Sequence, residues 1–309
     1  MVNFIIPGMY ELNKLNINLL TAMQTAPELF AENTKIGAVF GSFQFNIWDG
    51  GRIFQSYKQA SKEDIEFLQK IYNEQFKVPM RFVFTNNQIT EEDCYDRFNN
   101  LILTICQNDL NEIVISSPLL YDYIKTEYPQ YKFISSTTKN IVNPEKALEE
   151  IKDDKYSMVC LDYNLNKNWT FLNSIPEEYK PKTEFLINAI CPSGCKTRKI
   201  HYKLNSIYSL NYGKEYPLST CEIFTNTLDP ILEKGNNLSR KDIYEKYYKA
   251  GFTNFKIEGR TLSPLEVSLN YAKYFFKPEY SSYLINGLNQ YDANTLINNL
   301  TKIKINKGK

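Results

Sequence analysis

The chain has 309 residues, 43% hydrophobic and 23% charged. That excludes wholesale disorder and fits either one large α/β barrel or two ordinary domains. Lys plus Arg total 36 against 35 for Asp plus Glu, which argues against a dedicated polyanion binder but leaves room for a local basic patch. A single histidine excludes a histidine-rich metal site, so zinc or iron would have to lean on Cys, Asp or Glu.

No run reaches the roughly 18–20 apolar residues of a membrane span. Residues 1–8 lack the basic region and long apolar stretch of a secretion leader. A cytoplasmic protein without membrane partners is expected. Its six cysteines then read as free thiols or as metal or redox ligands, not as a disulfide framework.

Along the chain, short apolar runs alternate with amphipathic segments. The strand-like runs fall at 4–7, 36–43, 78–86, 112–117, 131–137, 158–163, 183–190 and 255–260. Ser61-Lys62-Glu63-Asp64 opens a helix like a capping box, and the pattern continues to Gln75. Another helix is expected from Thr90, with Glu91, Glu92 and Asp93 in its first turn, enclosing Cys94 and Cys106 as core or surface thiols. Asn143 and Ser263 each precede a proline at a first helical position, Pro144 and Pro264. Eight strands alternating with helices predict an α/β fold, a (β/α)8 TIM-barrel-like single domain over residues 1–309. The competing arrangement is an open doubly wound sheet, but no G-x-G-x-x-G follows the first run. Residues 206–237, rich in Tyr, Asn, Gly and Pro and carrying Cys221, break the rhythm as an irregular insertion before the last strand. Residues 303–309 read as a flexible tail.

In such a barrel the chemistry sits where strands end. Those ends offer Pro7-Gly8, Ser42 with Asp49-Gly50-Gly51-Arg52, Thr85-Asn86-Asn87, Ser116-Ser117, Ser136-Thr137-Thr138, Asp162-Tyr163-Asn164, Asn188 and Cys191, and Glu258-Gly259-Arg260. Many such Ser and Asn residues serve only to cap helices. The last run is more telling. Alternation puts Phe255 and Ile257 on one face, and Lys256, Glu258 and Arg260 on the face toward the lumen, where Arg81 and Glu184 can meet them. Burying these charges costs several kcal/mol per ion, in order of magnitude, unless they are paired. They are either a structural ion network or a site for a polar or anionic ligand clamped by Arg260. An open site lined by Glu258 is expected.

The seventh strand's loop carries Cys191-Pro192-Ser193-Gly194-Cys195, followed by Lys196 and Arg198, which favour thiolates. Cys221 is a candidate third ligand. Three thiolates suit an iron–sulfur cluster with one open iron, and adding His201 would suit zinc. The alternative is two ordinary thiols in a tight turn. Cys160, on the sixth strand, is read as core. His201 has the side chain closest to neutral pKa and is a proton-transfer candidate, though a lone helical histidine is as often structural.

Phe255-Lys256-Ile257-Glu258-Gly259-Arg260 resembles the F-K-I-E-G-R signature of the peptidase U32 family, the collagenase-like proteins. Residues 184–202, with N-x-x-C…C-x-x-R-x-x-H-Y, are similar to that family's cysteine segment. Ile5-Ile6-Pro7-Gly8 resembles its A-P-A-G. The resemblance implies a TIM-barrel-like catalytic domain and one of two chemistries. One is peptide hydrolysis. The other is oxygen insertion into an RNA base or a quinone precursor, with a [4Fe-4S] cluster on four cysteines in several members. The cysteines here, at 191, 195 and 221, depart from the family spacing and lack a clear fourth ligand. A short member without the extra C-terminal domain is expected. The resulting expectation is a hydroxylase or related redox enzyme acting on a polar small molecule or RNA. Cys191, Cys195 and Cys221 would hold the metal, Asp162, His201 and Glu258 would be catalytic, and Asn86, Asn188, Arg198 and Arg260 would bind substrate. The alternatives are a peptidase and a non-catalytic barrel serving as partner subunit to an active relative.

Overall fold

Apolar residues at alternate positions give each strand-like run one face for the helices and one for the lumen, and the runs pair in chain order. The computed structural model describes residues 1–52, 59–212 and 237–307, with 302–307 described by backbone alone. In it, β1 (Val2–Pro7), β2 (Thr34–Gly41), β3 (Met80–Phe84), β4 (Glu112–Ile115), β5 (Lys132–Ser135), β6 (Met158–Cys160), β7 (Thr183–Leu186) and β8 (Asn254–Lys256) form a closed parallel barrel. β8 pairs back onto β1 through Asn3–Asn254, Phe4–Phe255 and Ile5–Lys256. This is the (β/α)8 architecture that the rhythm implies. Among the described residues, no helix is long and apolar enough to cross a membrane.

The helices start where local chemistry satisfies their free amides. Ser61 and Asp64 form a reciprocal capping box at the head of α2 (Lys62–Gln69), which continues as a π-helical turn over Lys70–Gln75. Asn143 caps α5 (Pro144–Lys152), and Ser263 with Glu266 caps α8 (Pro264–Tyr274). The other α-helices of more than one turn are α1 (Asn13–Thr25), α3 (Arg97–Cys106), α4 (Pro118–Glu127), α6 (Trp169–Ser174), α7 (Arg198–Leu210), α9 (Ser281–Gln290) and α10 (Ala293–Lys307).

Three helix boundaries differ from expectation. Thr90 closes a separate turn by donating its amide to Asp93 (2.8 Å), and α3 begins only at Arg97, under the Asp96 cap. Cys94 therefore lies before that helix and Cys106 ends it. The expected insertion starts inside α7, because residues 206–210 are helical and Ser206 is buried. Residues 213–236, including Cys221, lie outside the described residues. At the other end, α10 runs through Lys307, into the stretch where the sequence suggests a flexible tail.

Two apolar layers follow from the pleat. Phe4, Phe185 and Phe255 point outward, with ring centroids 5.8 Å apart for Phe185–Phe255. Ile5, Ala38, Phe40, Val83, Val114 and Ile134 fill the lumen. An irregularity in the β1–β2 register, where Phe4 pairs with Ile36 but Ile5 with Ala38, sends Ile36 outward and Ala38 inward. Among the lumen residues sits an ion network. Arg81 Nε donates to Glu112 (2.5 Å) and Arg81 Nη1 to Glu184. Lys256 Nζ stands 4.0 Å from Glu184 and 4.1 Å from the centre of the Phe40 ring. Burial pulls the Lys256 ammonium below the usual lysine range, against the opposing pull of Glu184.

Candidate functional site

β8 stops at Lys256, so Glu258 and Arg260 lie past the strand, in the loop at its carboxyl end. The continuous inward row of three charges expected there therefore divides. Lys256 joins the lumen network, while Glu258 and Arg260 each find a partner from the β2 loop. Arg260 Nη1 donates to Asp49 Oδ2 (2.5 Å), which also accepts from Ser42 Oγ (2.8 Å). Asp49 Oδ1 accepts from the Gly51 amide (3.2 Å). The loop carrying Asp49 reaches this point because Gly50 packs flat on β3. A Cβ there would sit 2.7 Å from Asn86 Cα and 2.9 Å from the Thr85 carbonyl oxygen.

Glu258 is paired with Arg52, and its second oxygen accepts from the Ile190 amide (2.8 Å). Asn188 locks the same loop, donating to the Glu258 carbonyl (2.9 Å) and accepting from its amide (2.6 Å). Asn188 thus holds Glu258 in place. Asn86 is fully buried; it donates to the carbonyls of Ile47 (2.6 Å) and Ser206 (3.0 Å) and accepts from the Gln88 amide (2.9 Å). Its polar atoms pin the β2 and β3 loops to α7.

A third pair lies between the β6 loop and the start of α7. Arg198, only 2% exposed, donates through Nη2 to Asp162 Oδ2, while Asp162 Oδ1 accepts from the amide (3.0 Å) and side chain (2.8 Å) of Asn164. The guanidinium lies over the Tyr163 ring, 4.4 Å from its centre. Arg198 Nε and Nη1 and the Tyr163 hydroxyl are buried and meet no third group among the described residues, and toward each other they stand only in marginal hydrogen-bonding contact. Burial, reinforced by Cys191, raises the Tyr163 phenol far above its ordinary value, and burial pushes Tyr202 up to about 12. His201 is half-buried on α7, where burial and nearby Arg52 hold the imidazole below its usual pKa. It is therefore more strongly neutral than a free histidine at pH 7.

Cys191 is buried with Cys160, Tyr163, Leu186 and Ala189. Cys195 is half-buried, its Sγ 3.5 Å from Thr197 Oγ1. Burial, then Glu184, raises the Cys160 thiol, consistent with its reading as core. Among the described residues no three Cys, His, Asp or Glu side chains converge as a metal site. The described donors therefore do not by themselves fit an iron–sulfur cluster or zinc.

The sequence reading missed Glu11. It lies in the β1–α1 loop, whose backbone is fixed by Asn16 Nδ2 to the Pro7 (2.9 Å) and Gly8 (3.2 Å) carbonyls and by Tyr72 Oη to the Met9 carbonyl (3.1 Å). Gly8 enters this loop at φ +79°, a conformation that favours glycine. Both Glu11 carboxyl oxygens are buried, and no other residue among those described donates to either. Burial raises its pKa from the usual 4.5 to about 7; its own amide and Arg260 oppose the shift and Asp49 adds to it. The available signal was positional: an acidic residue three places after the Gly8 that ends the first strand.

Charged groups thus gather at the carboxyl ends of the strands of a closed parallel barrel. Among solved structures, the chain matches that of the U32 peptidase Mk0906, with a TM-score of 0.50 and 14% identity over 83% of this chain and 92% of that one. The two share a fold, so the U32 resemblance of the strand-end motifs extends to the architecture. No family model and no curated protein matches the chain.

Proposed function

We propose that the barrel is a hydrolase that acts on a polar, carbonyl-bearing substrate at the carboxyl-end ring, peptide bonds being the first candidates. The observation that carries this is Arg198. A buried donor left without an acceptor costs about 1–3 kcal/mol. Among the described residues, Nε, Nη1 and the neighbouring Tyr163 hydroxyl meet at most one another, in one place. A substrate carbonyl oxygen supplies the missing acceptor. As water adds to the carbonyl, negative charge grows on that oxygen, and a fixed guanidinium stabilises it more than it did the ground state. Asp162 holds the guanidinium in position. The peptidase name of the structural neighbour supports the same reading.

The test is digestion of a mixed peptide library read by mass spectrometry. Wild type is expected to cleave. Arg198→Lys keeps the charge but loses the planar fork, and cleavage should fall about 100-fold or more with an unchanged circular dichroism spectrum. No cleavage by wild type, or wild-type cleavage by the variant, sinks the reading.

The placement of Cys191 and Cys195 on one loop at the barrel mouth supports a second reading. In it, an iron–sulfur centre completed by Cys221 would serve hydroxylation of a small metabolite or RNA base, whereas zinc in the same place, having no redox chemistry, would serve hydrolysis. Iron, zinc and sulfide are measured in anaerobically purified protein, with Cys195→Ser alongside. Metal content equal in the two proteins overturns it.

A further inference from the structure

The carboxylates at the barrel mouth are not equivalent. Asp49 is held by Arg260, Glu258 by Arg52 and Asp162 by Arg198. In each of these pairs a guanidinium occupies a carboxylate oxygen that would otherwise be open to water or substrate. Glu11 differs, with both oxygens enclosed and no hydrogen bond from any other described residue. The groups that face it come from four elements. Tyr10 stands on its own loop, bonded to Asp64 of α2 (3.4 Å), and Tyr72 approaches from the π-helical turn. Asp49 and Arg260, from the β2 and β8 loops, carry opposite charges and are paired to each other. The backbone leading into Glu11 is pinned by Asn16 and Tyr72 at the Pro7 and Met9 carbonyls, so the loop that carries it is in place before any substrate arrives.

We propose that Glu11 is the proton-exchanging carboxyl of this site. Its carboxylate takes a proton from water as the water oxygen bonds to the substrate carbonyl carbon. It returns that proton to the leaving nitrogen as the C–N bond breaks. The substrate in this step rests on the hydrolase reading above; the exchangeable proton on Glu11 does not.

Two arms separate these dependencies. In the first, the whole chain, labelled with 13C-glutamate and free of substrate, is titrated by infrared difference spectroscopy against Glu11→Gln. One protonated-carboxyl band, absent from the variant, should vanish as pH rises through about 7. A band that vanishes near the ordinary 4.5 overturns the proposal. In the second, the same peptide library is the probe. Glu11→Gln should lose about 100-fold or more in kcat with KM little changed, Glu11→Asp should recover part of the loss, and the wild-type pH profile should bend where the infrared band titrates. Wild-type turnover by Glu11→Gln overturns the proposal. If wild type cleaves no peptide, the hydrolase reading falls alone, and the infrared titration decides whether Glu11 carries the proton.

Discussion

The lumen and the mouth of this barrel are built from the same groups, guanidinium or ammonium against carboxylate, yet they end in different states. In the lumen, Arg81 and Lys256 face Glu112 and Glu184, and each charge meets an opposite one. At the mouth, three pairs form and, among the described residues, more polar capacity is left over: the Arg198 Nε and Nη1, the Tyr163 hydroxyl and both Glu11 oxygens, against Glu184 Oε1 alone in the lumen network. The lumen set is scaffold, since its two central members bridge the others: among the described residues, without Glu184 the buried Lys256 has no opposite charge, and without Arg81 Glu112 has none. The mouth set keeps unmet hydrogen bonds of the kind a ligand can complete.

The sharpest break of this contrast is Glu184→Ala. Glu184 is fully buried between Arg81 and Lys256, and its loss should cost about 3–5 kcal/mol in urea denaturation. A change below about 1 kcal/mol would show that the lumen is hydrated and not a closed network.

Glu258→Ala should cost less, about 1–2 kcal/mol, because its side chain keeps 12% exposure and water can reach Arg52 in its place. A melting loss as large as that of Glu184→Ala would merge the two regions into one scaffold.

Glu11 gives a pH-dependent test. Its folded pKa lies above its unfolded one, so its contribution to stability is full below 4.5 and is lost as pH rises toward about 7. Glu11→Gln cannot ionise. Melting temperatures of the two proteins should therefore diverge across that window, with the variant gaining on wild type as pH rises. Parallel curves would place Glu11 among ordinary solvated carboxylates.

The smallest effect belongs to an exposed pair. Lys62→Ala removes the contact with Glu66 across one turn of α2, 3.5 Å apart and more than half exposed on both sides. It should change stability by no more than about 0.5 kcal/mol.

The strands were legible because a half-buried strand writes its geometry into every second residue. The helix starts were legible because Ser61, Asn143 and Ser263 do their capping within three residues of themselves. What failed was partner choice at a distance. Glu258 meets Arg52, 206 positions away, and nothing local distinguishes that partner from Lys256 or Arg260. Strand alternation does not extend past the end of β8, so the expected inward row stopped at Lys256. Glu11 was overlooked for a related reason: its peculiarity lies in distant groups, Tyr72, Asp49 and Arg260, and its place after Gly8 was the one local signal. Arg198 was singled out, but its open donors could be seen only once Asp162 and Tyr163 stood beside it.

Closure through β1 and β8 has a consequence for how the chain is made. Asn3 bonds Asn254 (3.0 Å) across 251 positions, and α10 packs against α1. The strand that leaves the ribosome first is thus among the last to gain its second neighbour. At roughly 5–20 residues per second, synthesis keeps that edge waiting on the order of tens of seconds. During that time the nascent sheet has two open edges and an uncovered apolar face, the kind of surface that chaperones hold and other nascent chains pair with. Arrest just before residue 254 should leave an aggregation-prone intermediate, whereas arrest after α10 has emerged should release a protease-resistant barrel.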